Sequence, residues 1–563
     1  MTAARTYIQV LLPVKLRWIP TYGSPVSLEP GRRVCVELGK RRYDGVVWRC
    51  LKQPDLPPER VQDIIAVQDD LPAVTAEELR FWEFLSDYYL CTLGEVYKAA
   101  YPLLKLRSEQ TAADILARLH ERLARKEQQL AGRHGERVMA RLTAERDALL
   151  AEIAGYGDSP VKPASRRSER EQNELVCSAE PQGGKQPQAV NDDKEDTGKP
   201  LVLTAQDRRS AYLPALRETL AAGRQALVLT PEIAFCDRLE ALLAPEFGQQ
   251  LLVFHSGRTP VQRRTVAERL RSGAHAVILG TRSALFLPYR ALGLVVVDEE
   301  QDPAYKQTEP APRYQARDAA IALAGIHRAR VLLGAAVPSL ETLLNVRLGK
   351  YDLRHSPTLT LRHSPTPIGE SPEVIDLAAE RRKNGLVGTF SRKLIEAVRQ
   401  TEGPVLLLRG WEKPELLQEE IAALFPDRDI RVRTLNALKR EGASGAALIA
   451  VLQADALVSR DDFRADERAA QIMGTLCQFA PHVIVQTGVP ARFNGSRSVD
   501  DLLEERRQFG FPPYTRLVEI RRQGSAEVLD RRFLPRDRSL ASRKAALAAA
   551  LTPGTYPDVD PVD

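Results

Sequence analysis

Short runs of alternating apolar and polar residues open the chain, and past residue 200 they give way to near-continuous aliphatic runs. Residues 7–12, 33–38 and 43–48 alternate with a period of two and are punctuated by Gly and Pro. This pattern predicts a small barrel or curled sheet with one buried face. Thr75-Ala76-Glu77-Glu78 stands at the head of an apolar-periodic stretch. It has the spacing of a capping box and predicts a helix running toward Tyr89. From about 108 to 153 Ala, Leu, Arg and Glu predominate, which predicts a long solvent-facing helix or helical hairpin. Residues 155–199 are polar and rich in Pro, Gly, Gln, Lys and Asp. Such a segment buries too little apolar surface to offset chain entropy and is expected to be a tether. Beyond it, the runs 226–230, 251–255, 276–281, 294–298 and 330–334 alternate with amphipathic stretches. They predict a parallel sheet covered on both faces. A shorter α/β stretch spans about 389–487, and an Arg-rich module follows from 499.

Length turns this pattern into domains. At 563 residues the chain exceeds one core, and the expected division is 1–104, 105–157, 158–199, 200–355, 356–490 and 491–563. Hydrophobic residues make up 44% and charged residues 27%, as in an ordinary globular chain. The net charge of +6 permits nucleic-acid binding without demanding it. Six cysteines are scattered with no Cys-x-x-Cys pair, so neither a disulfide framework nor a closed zinc site is expected. No apolar segment approaches membrane-spanning length, and a cytoplasmic location is the expectation.

Candidate chemistry lies at four places. Val295-Val296-Val297 reads as a buried strand that ends in Asp298-Glu299-Glu300-Gln301-Asp302, a cluster suited to holding Mg²⁺ and water. A Gly-x-x-x-x-Gly-Lys-Ser/Thr phosphate loop is absent from the chain, because each Gly-Lys pair (at 39, 184, 198 and 349) is followed by another residue type. Basic residues Arg32, Arg33, Lys40, Arg41 and Arg42, interleaved with Tyr22, Tyr43 and Trp48, have the composition of a DNA-facing surface. A charge run of this kind is also what a solvated face looks like. Thr281, Arg282 and Ser283 offer hydroxyls and a guanidinium to a sugar-phosphate. Tyr305, Lys306, Gln307, Arg313, Tyr314 and Arg317 combine rings that stack bases with groups that pair phosphates. Phe81, Trp82, Tyr88 and Tyr89 are read as packing residues, and the histidines lack metal-ligand spacing.

Several of these segments resemble the primosomal protein N′ (PriA) family of replication-restart superfamily 2 DNA helicases. They are 88–96, Phe254-His255-Ser256, 280–288, 298–302, 305–307 with 310–318, 461–468 and 511–517. The resemblance covers most of the chain outside 105–199. It implies an N-terminal domain that recognises the 3′ end of DNA, two RecA-like lobes with the second one reduced, and a small C-terminal α+β domain. It also implies ATP with Mg²⁺ at Asp298 and Glu299, bound zinc, forked or single-stranded DNA, and partnership with other primosome proteins and single-strand-binding protein near the nucleoid.

The departures from the family pattern are local. Where the phosphate loop belongs, the chain reads Thr204-Ala205-Gln206-Asp207-Arg208-Arg209-Ser210. The family's Gly-Ser-Ala-Thr-Pro-Ser motif is Gly334-Ala335-Ala336-Val337-Pro338-Ser339. No arginine follows Gln471 where an arginine finger belongs, and Leu408-Arg409-Gly410 runs into Trp411 with no zinc-binding cysteines. Pro20-Thr21-Tyr22 replaces an aromatic-x-Tyr pocket segment. The expected function is therefore DNA binding in replication restart without ATP turnover. A helicase with an unconventional phosphate site at Arg208, Arg209 and Ser210, and a primosome interaction scaffold, are the alternatives.

Overall fold

The computed structural model describes residues 6–54, 56–104, 198–204, 208–354, 372–410, 413–443, 445–458, 462–525 and 527–562, with isolated positions between 123 and 150. The chain divides into two compact units, Met1–Leu104 with Thr197–Asp563, and Lys105–Asp196. Every described position between 123 and 150 is helical. The rest of the expected arm, and the expected tether up to 197, lie outside the described residues.

The N-terminal alternation becomes five antiparallel strands: β1 (Thr6–Leu11), β2 (Thr21–Ser24), β3 (Arg33–Leu38), β4 (Arg41–Leu51) and β5 (Ala66–Val67). Their order is β2-β1-β4-β3-β5. Ile8, Val10, Val34, Val36 and Val47 share the buried face with Tyr22 and Leu28. A register shift at Gln9/Val10 bends the β1–β4 pair, as a bulge does. The segment before β5 returns to β2 through Gly23 N–H to Gln62 O (2.8 Å) and Ile64 N–H to Gly23 O (3.0 Å). The sheet is therefore curled, with its two ends nearly joined. Gly39 (φ 56°) and Lys40 (φ 66°) form the two-residue turn between β3 and β4, and that turn geometry needs both residues left-handed.

The capping box predicted at Thr75 forms. Glu78 N–H donates to Thr75 Oγ1 (3.2 Å) and Thr75 N–H donates to Glu78 Oε2 (2.9 Å). It starts helix α1 (Ala76–Tyr89), which is followed by α2 (Leu93–Leu104). Phe81, Trp82 and Tyr89 are buried, as expected of packing residues. Phe81 meets Phe286 and Tyr89 meets Tyr314, so α1 seats the N-terminal sheet on the next domain.

That domain is a seven-stranded parallel sheet: β6 (Leu201–Leu203), β7 (Gln225–Leu229), β8 (Leu251–Phe254), β9 (Val277–Gly280), β10 (Leu292–Asp298), β11 (Arg330–Gly334) and β12 (Asp352–Arg354). The order is β12-β6-β11-β10-β7-β9-β8. Leu227, Leu229, Val295 and Val297 face one core while Ala226, Val228, Leu294 and Val296 face another. Two buried faces are why these strands read as continuous aliphatic runs.

The second lobe is a complete parallel sheet despite its reduced motifs. Its strands are β13 (Glu373–Asp376), β16 (Val405–Leu408), β17 (Ile430–Arg433), β18 (Leu448–Val451) and β19 (His482–Thr487), in the order β13-β19-β18-β16-β17, with a hairpin of β14 (Leu386–Val387) and β15 (Phe390–Ser391). Separate cores cover its two faces. The C-terminal module is an antiparallel sheet of β20 (Thr515–Arg522), β21 (Val528–Pro535) and β22 (Thr555–Val559), with helix Leu540–Ala549. Helix Val499–Gln508 docks Leu502 and Leu503 on Leu340 of the first lobe. No helix among the described residues is long and apolar enough to cross a membrane.

Candidate nucleic-acid interface

β10 ends at the centre of the first lobe, so its last residues emerge where a parallel α/β sheet presents ligand sites. Asp298 and Glu299 are buried there. Helix α3 (Arg208–Ala221) begins opposite them and supplies two arginines and a tyrosine. Arg208 Nε donates to Asp298 Oδ1 at 3.1 Å, and its Nη2 donates to Glu299 Oε1. Arg209 Nε donates to Asp298 Oδ2 at 2.8 Å, and its Nη2 to Glu299 Oε1 at 3.2 Å. The Tyr212 hydroxyl donates to Asp298 Oδ1 at 2.9 Å, and Gln301 Nε2 to Glu299 Oε2 at 2.9 Å. All four carboxylate oxygens thus accept hydrogen bonds from the chain's own side chains.

Burial alone would raise the Asp298 carboxyl, but Arg208 and Arg209 outweigh it and hold it below the usual carboxylate range. Tyr212 reaches this position because residue 334 is glycine; a Cβ there would lie 1.8 Å from the tyrosine hydroxyl. Glu300 is also committed, accepting from Arg317 Nη1 (3.0 Å) and from the Ser339 N–H (2.7 Å). Asp302 caps the following turn through Ala304 N–H (2.9 Å) and pairs with Lys439 of the second lobe at 2.8 Å.

These residues do not fit Mg²⁺-nucleotide as arranged. A metal ion needs free carboxylate oxygens, and the triphosphate needs uncommitted N–H groups or cations. Here the arginines and the carboxylates consume each other. The second lobe fits the family's zinc no better: β16 passes within a few residues into helix Pro414–Leu424. Among the described residues no cluster of His, Cys, Asp and Glu could hold a metal. Gln471, at the head of the stretch where an arginine finger belongs, donates to Glu467 at 3.3 Å.

The expected DNA-facing residues divide into an exposed set and an internal set. Lys40, Arg41 and Arg42 project from the β3–β4 turn and are exposed. Arg32 beside them is exposed and paired with Asp69. Ser283 is exposed, and Thr281 partly so. Gln307 is half-buried and bonds Pro310 O (2.7 Å) and Pro312 O (3.0 Å).

The other members are interior. Tyr22 is core and donates to Glu37 O at 2.9 Å. Arg33 is 2% exposed. The Tyr305 hydroxyl bonds Leu229 O (2.9 Å) and Asp298 O (2.6 Å) beneath the strand ends. Lys306 Nζ is buried against Asp558 (2.7 Å) and Val559 O (2.6 Å) of the C-terminal sheet. Tyr314 is buried with its hydroxyl on Arg282 O (3.2 Å), and Arg282 Nη1 donates to Lys306 O (2.5 Å). Arg317 holds Glu300, Ser339 and Asp318. The aromatic-and-basic segment expected to grip DNA is thus the hinge pin of three domains. Its rings and charges are amphipathic, and tertiary packing took up both properties.

One surface went unnoticed in the sequence. Phe463 stacks on Phe511 (4.8 Å, 23°), which contacts Phe509 (6.0 Å) and Phe533 (5.4 Å), with Arg464 and Arg506 over the Phe463 ring. Phe509 is 67% exposed. The Phe509-Gly510-Phe511 spacing was the available signal, but its partners lie far away in sequence.

A family model described as a 3′ DNA-binding domain (3′BD) of PriA matches residues 9–102, the curled sheet with α1 and α2. The replication restart protein PriA of Haemophilus influenzae is 27% identical over 660 aligned residues, covering 92% of this chain and 88% of that protein. The Bacillus subtilis protein of that name is 34% identical over 201 residues, 35% of this chain and 24% of the relative. The chain spans about half the length of the Rickettsia felis and Chlamydia pneumoniae relatives. A solved structure of RecG bound to a three-way DNA junction aligns with 55% of this chain and 41% of its own, at 13% identity and a TM-score of 0.32. In its N-terminal domain and along nine-tenths of its length, this chain is similar to replication restart protein PriA.

Proposed function

We propose that the chain binds forked or single-stranded DNA during replication restart and does so without hydrolysing ATP. One observation carries the second half of this reading: every oxygen of Asp298 and Glu299 is bonded to Arg208, Arg209, Tyr212 or Gln301. Phosphoryl transfer rests on positioned charge, and an arginine finger alone contributes about 10³-fold or more. Opening the site to nucleotide would strand two buried carboxylates or two guanidiniums, a cost of roughly 3–5 kcal/mol for a broken buried pair. The first half rests on the PriA-type N-terminal domain and the exposed Lys40, Arg41 and Arg42 on its turn. Phosphate contacts through these residues release counterions, so binding weakens steeply with salt. Other primosome proteins and single-strand-binding protein complete the set of partners, at the nucleoid in the cytoplasm.

The test pairs two measurements on the full chain. Fluorescence anisotropy with a forked oligonucleotide should show salt-sensitive binding, and phosphate release from ATP with that DNA should stay at background. DNA-stimulated release that disappears in Asp298→Asn and Glu299→Gln would restore the helicase reading. Absence of binding at low salt would remove the DNA reading itself.

A further inference from the structure

Helix Val499–Gln508 stops at a left-handed Gly510 (φ 65°), with the Gly510 N–H on Arg507 O (3.3 Å) and the Phe511 N–H on Arg506 O (2.8 Å). This paired bonding turns the chain sharply at the glycine and brings the residues on either side of it together. Phe509 and Phe511 accordingly lie 6.0 Å apart, with ring planes 24° from parallel. Phe463, just before helix Ala465–Leu476 of the second lobe, continues the row on Phe511 at 4.8 Å and 23°. The guanidiniums of Arg464 and Arg506 cover the Phe463 end at 4.4 and 4.5 Å. The other end is open: Phe509 is 67% exposed. Phe533 of the edge strand β21 flanks Phe511 at 5.4 Å and is also exposed.

Positive charge borders this row. Arg531 lies on the same face of β21 as Phe533 and is exposed, although it bonds Glu519 at 2.8 Å. Arg536 donates to Pro513 O at 3.1 Å, two residues past Phe511. Neither Arg464 nor Arg536 forms an ion pair among the described residues. The adjacent acids are committed: Glu504 to Arg507 at 2.9 Å, Asp530 to Arg532 at 2.7 Å and Asp462 to Arg468 at 2.8 Å.

We propose that Phe509, Phe511 and Phe533 form a base-stacking platform for single-stranded DNA, a second contact apart from the N-terminal sheet. The inference rests on the DNA-binding reading above and adds a surface that takes unpaired bases. A row of near-parallel rings ending on an open ring leaves one π-face in water, and the flat face of a base extends the row. Arginines beside the rings then meet the phosphates on either side of that base. A duplex keeps its bases stacked inside and offers the rings no face, so the platform selects single strands. An apolar protein partner would also cover Phe509, but it would bury Arg464 and Arg536 without a counter-charge. A polynucleotide supplies that charge with every residue.

Anisotropy titrations of the full chain with a labelled oligothymidylate and with a blunt duplex test this, in Phe509→Ala, Phe509→Leu and Phe509→Trp. Phe509 is largely in solvent, so these variants keep the fold, checked by an unchanged thermal midpoint. Phe509→Ala and Phe509→Leu are both expected to weaken single-strand binding about 10-fold, and Phe509→Trp to retain it. The weakening should be the same at low and high salt, because a stacked base releases no counterion, and duplex affinity should not change. Wild-type affinity in Phe509→Ala or Phe509→Leu, or an equal loss on the duplex, overturns the platform. So does a dimer of the wild-type chain in sedimentation that Phe509→Ala dissolves, since the rings then belong to a second copy. Fork binding that is intact in Phe509→Ala, alongside unchanged single-strand affinity, sinks this inference and leaves the DNA reading in place. Absence of binding to any of these DNAs at low salt removes both.

Discussion

Arg208 and Asp298 are each about 1% exposed, so their pairing takes place almost out of water. In that setting the charges are worth keeping only as a set, because removing one partner leaves the others desolvated and unmatched. Arg208→Met is expected to cost roughly 3–5 kcal/mol of stability, measured by urea unfolding. The pH dependence follows from Asp298. Its folded carboxyl sits below the unfolded value of about 3.9, so its contribution is present above that value and is lost as pH falls through the folded one. In Arg208→Met the loss should begin at higher pH, because burial then acts on Asp298 with one guanidinium fewer. An acid-unfolding midpoint unchanged by the substitution would show that the pair is not formed in solution.

Two elements have separable roles. Lys40 in the β3–β4 turn and Arg41 and Arg42 at the start of β4 are exposed to solvent. Replacing all three by Gln should leave thermal stability within about 0.5 kcal/mol. It should also reduce the slope of log affinity against log salt by about 2, taking ~0.7 per single-strand phosphate contact. An unchanged slope would place the DNA elsewhere, and the Phe509–Phe533 surface is then the next one to mutate. Helix Leu540–Ala549 docks through Lys544, whose Nζ donates to Tyr88 O at 2.7 Å and sits 4.8 Å from the Tyr88 ring centre. Burial, helped by Arg516, pulls the Lys544 amine down to about 8. A lysine depressed in the fold binds fewer protons there than in the unfolded chain, so stability should rise between pH 8 and pH 10. Lys544→Met should flatten that rise in a pH series of thermal midpoints.

At the scale of the whole molecule, buried charge ties the second lobe to its neighbours. Glu467 of that lobe accepts from the Leu340 N–H (2.9 Å) of the first lobe and from Arg506 Nη2 (3.1 Å) of helix Val499–Gln508. Lys439 reaches Asp302, and Arg238 lies over the Phe479 ring. Glu467→Ala leaves Arg506 buried and unpaired, and it is expected to split one calorimetric transition into two as the second lobe melts first. A single transition at the native midpoint would mean that the remaining contacts, Lys439 with Asp302 and Arg238 with Phe479, suffice.

Patterns local in sequence settled the elements. The period-two runs fixed the curled sheet, the Thr75–Glu78 spacing fixed the start of α1, and the aliphatic runs fixed a parallel sheet with two covered faces. The missing phosphate loop was equally plain, since it is a contiguous motif. Tertiary structure alone decided what the charged and aromatic residues do. Tyr305, Lys306, Tyr314 and Arg317 have the composition of a DNA platform, yet each found an internal partner more than twenty positions away, that of Lys306 on the C-terminal sheet. Arg208 and Arg209 carry the same charge whether they face phosphate or carboxylate. Only the approach of α3 to the end of β10, ninety residues on, made them partners of Asp298. Periodicity is written along the backbone, whereas a charge acquires its role from whatever the fold brings within a few ångströms of it.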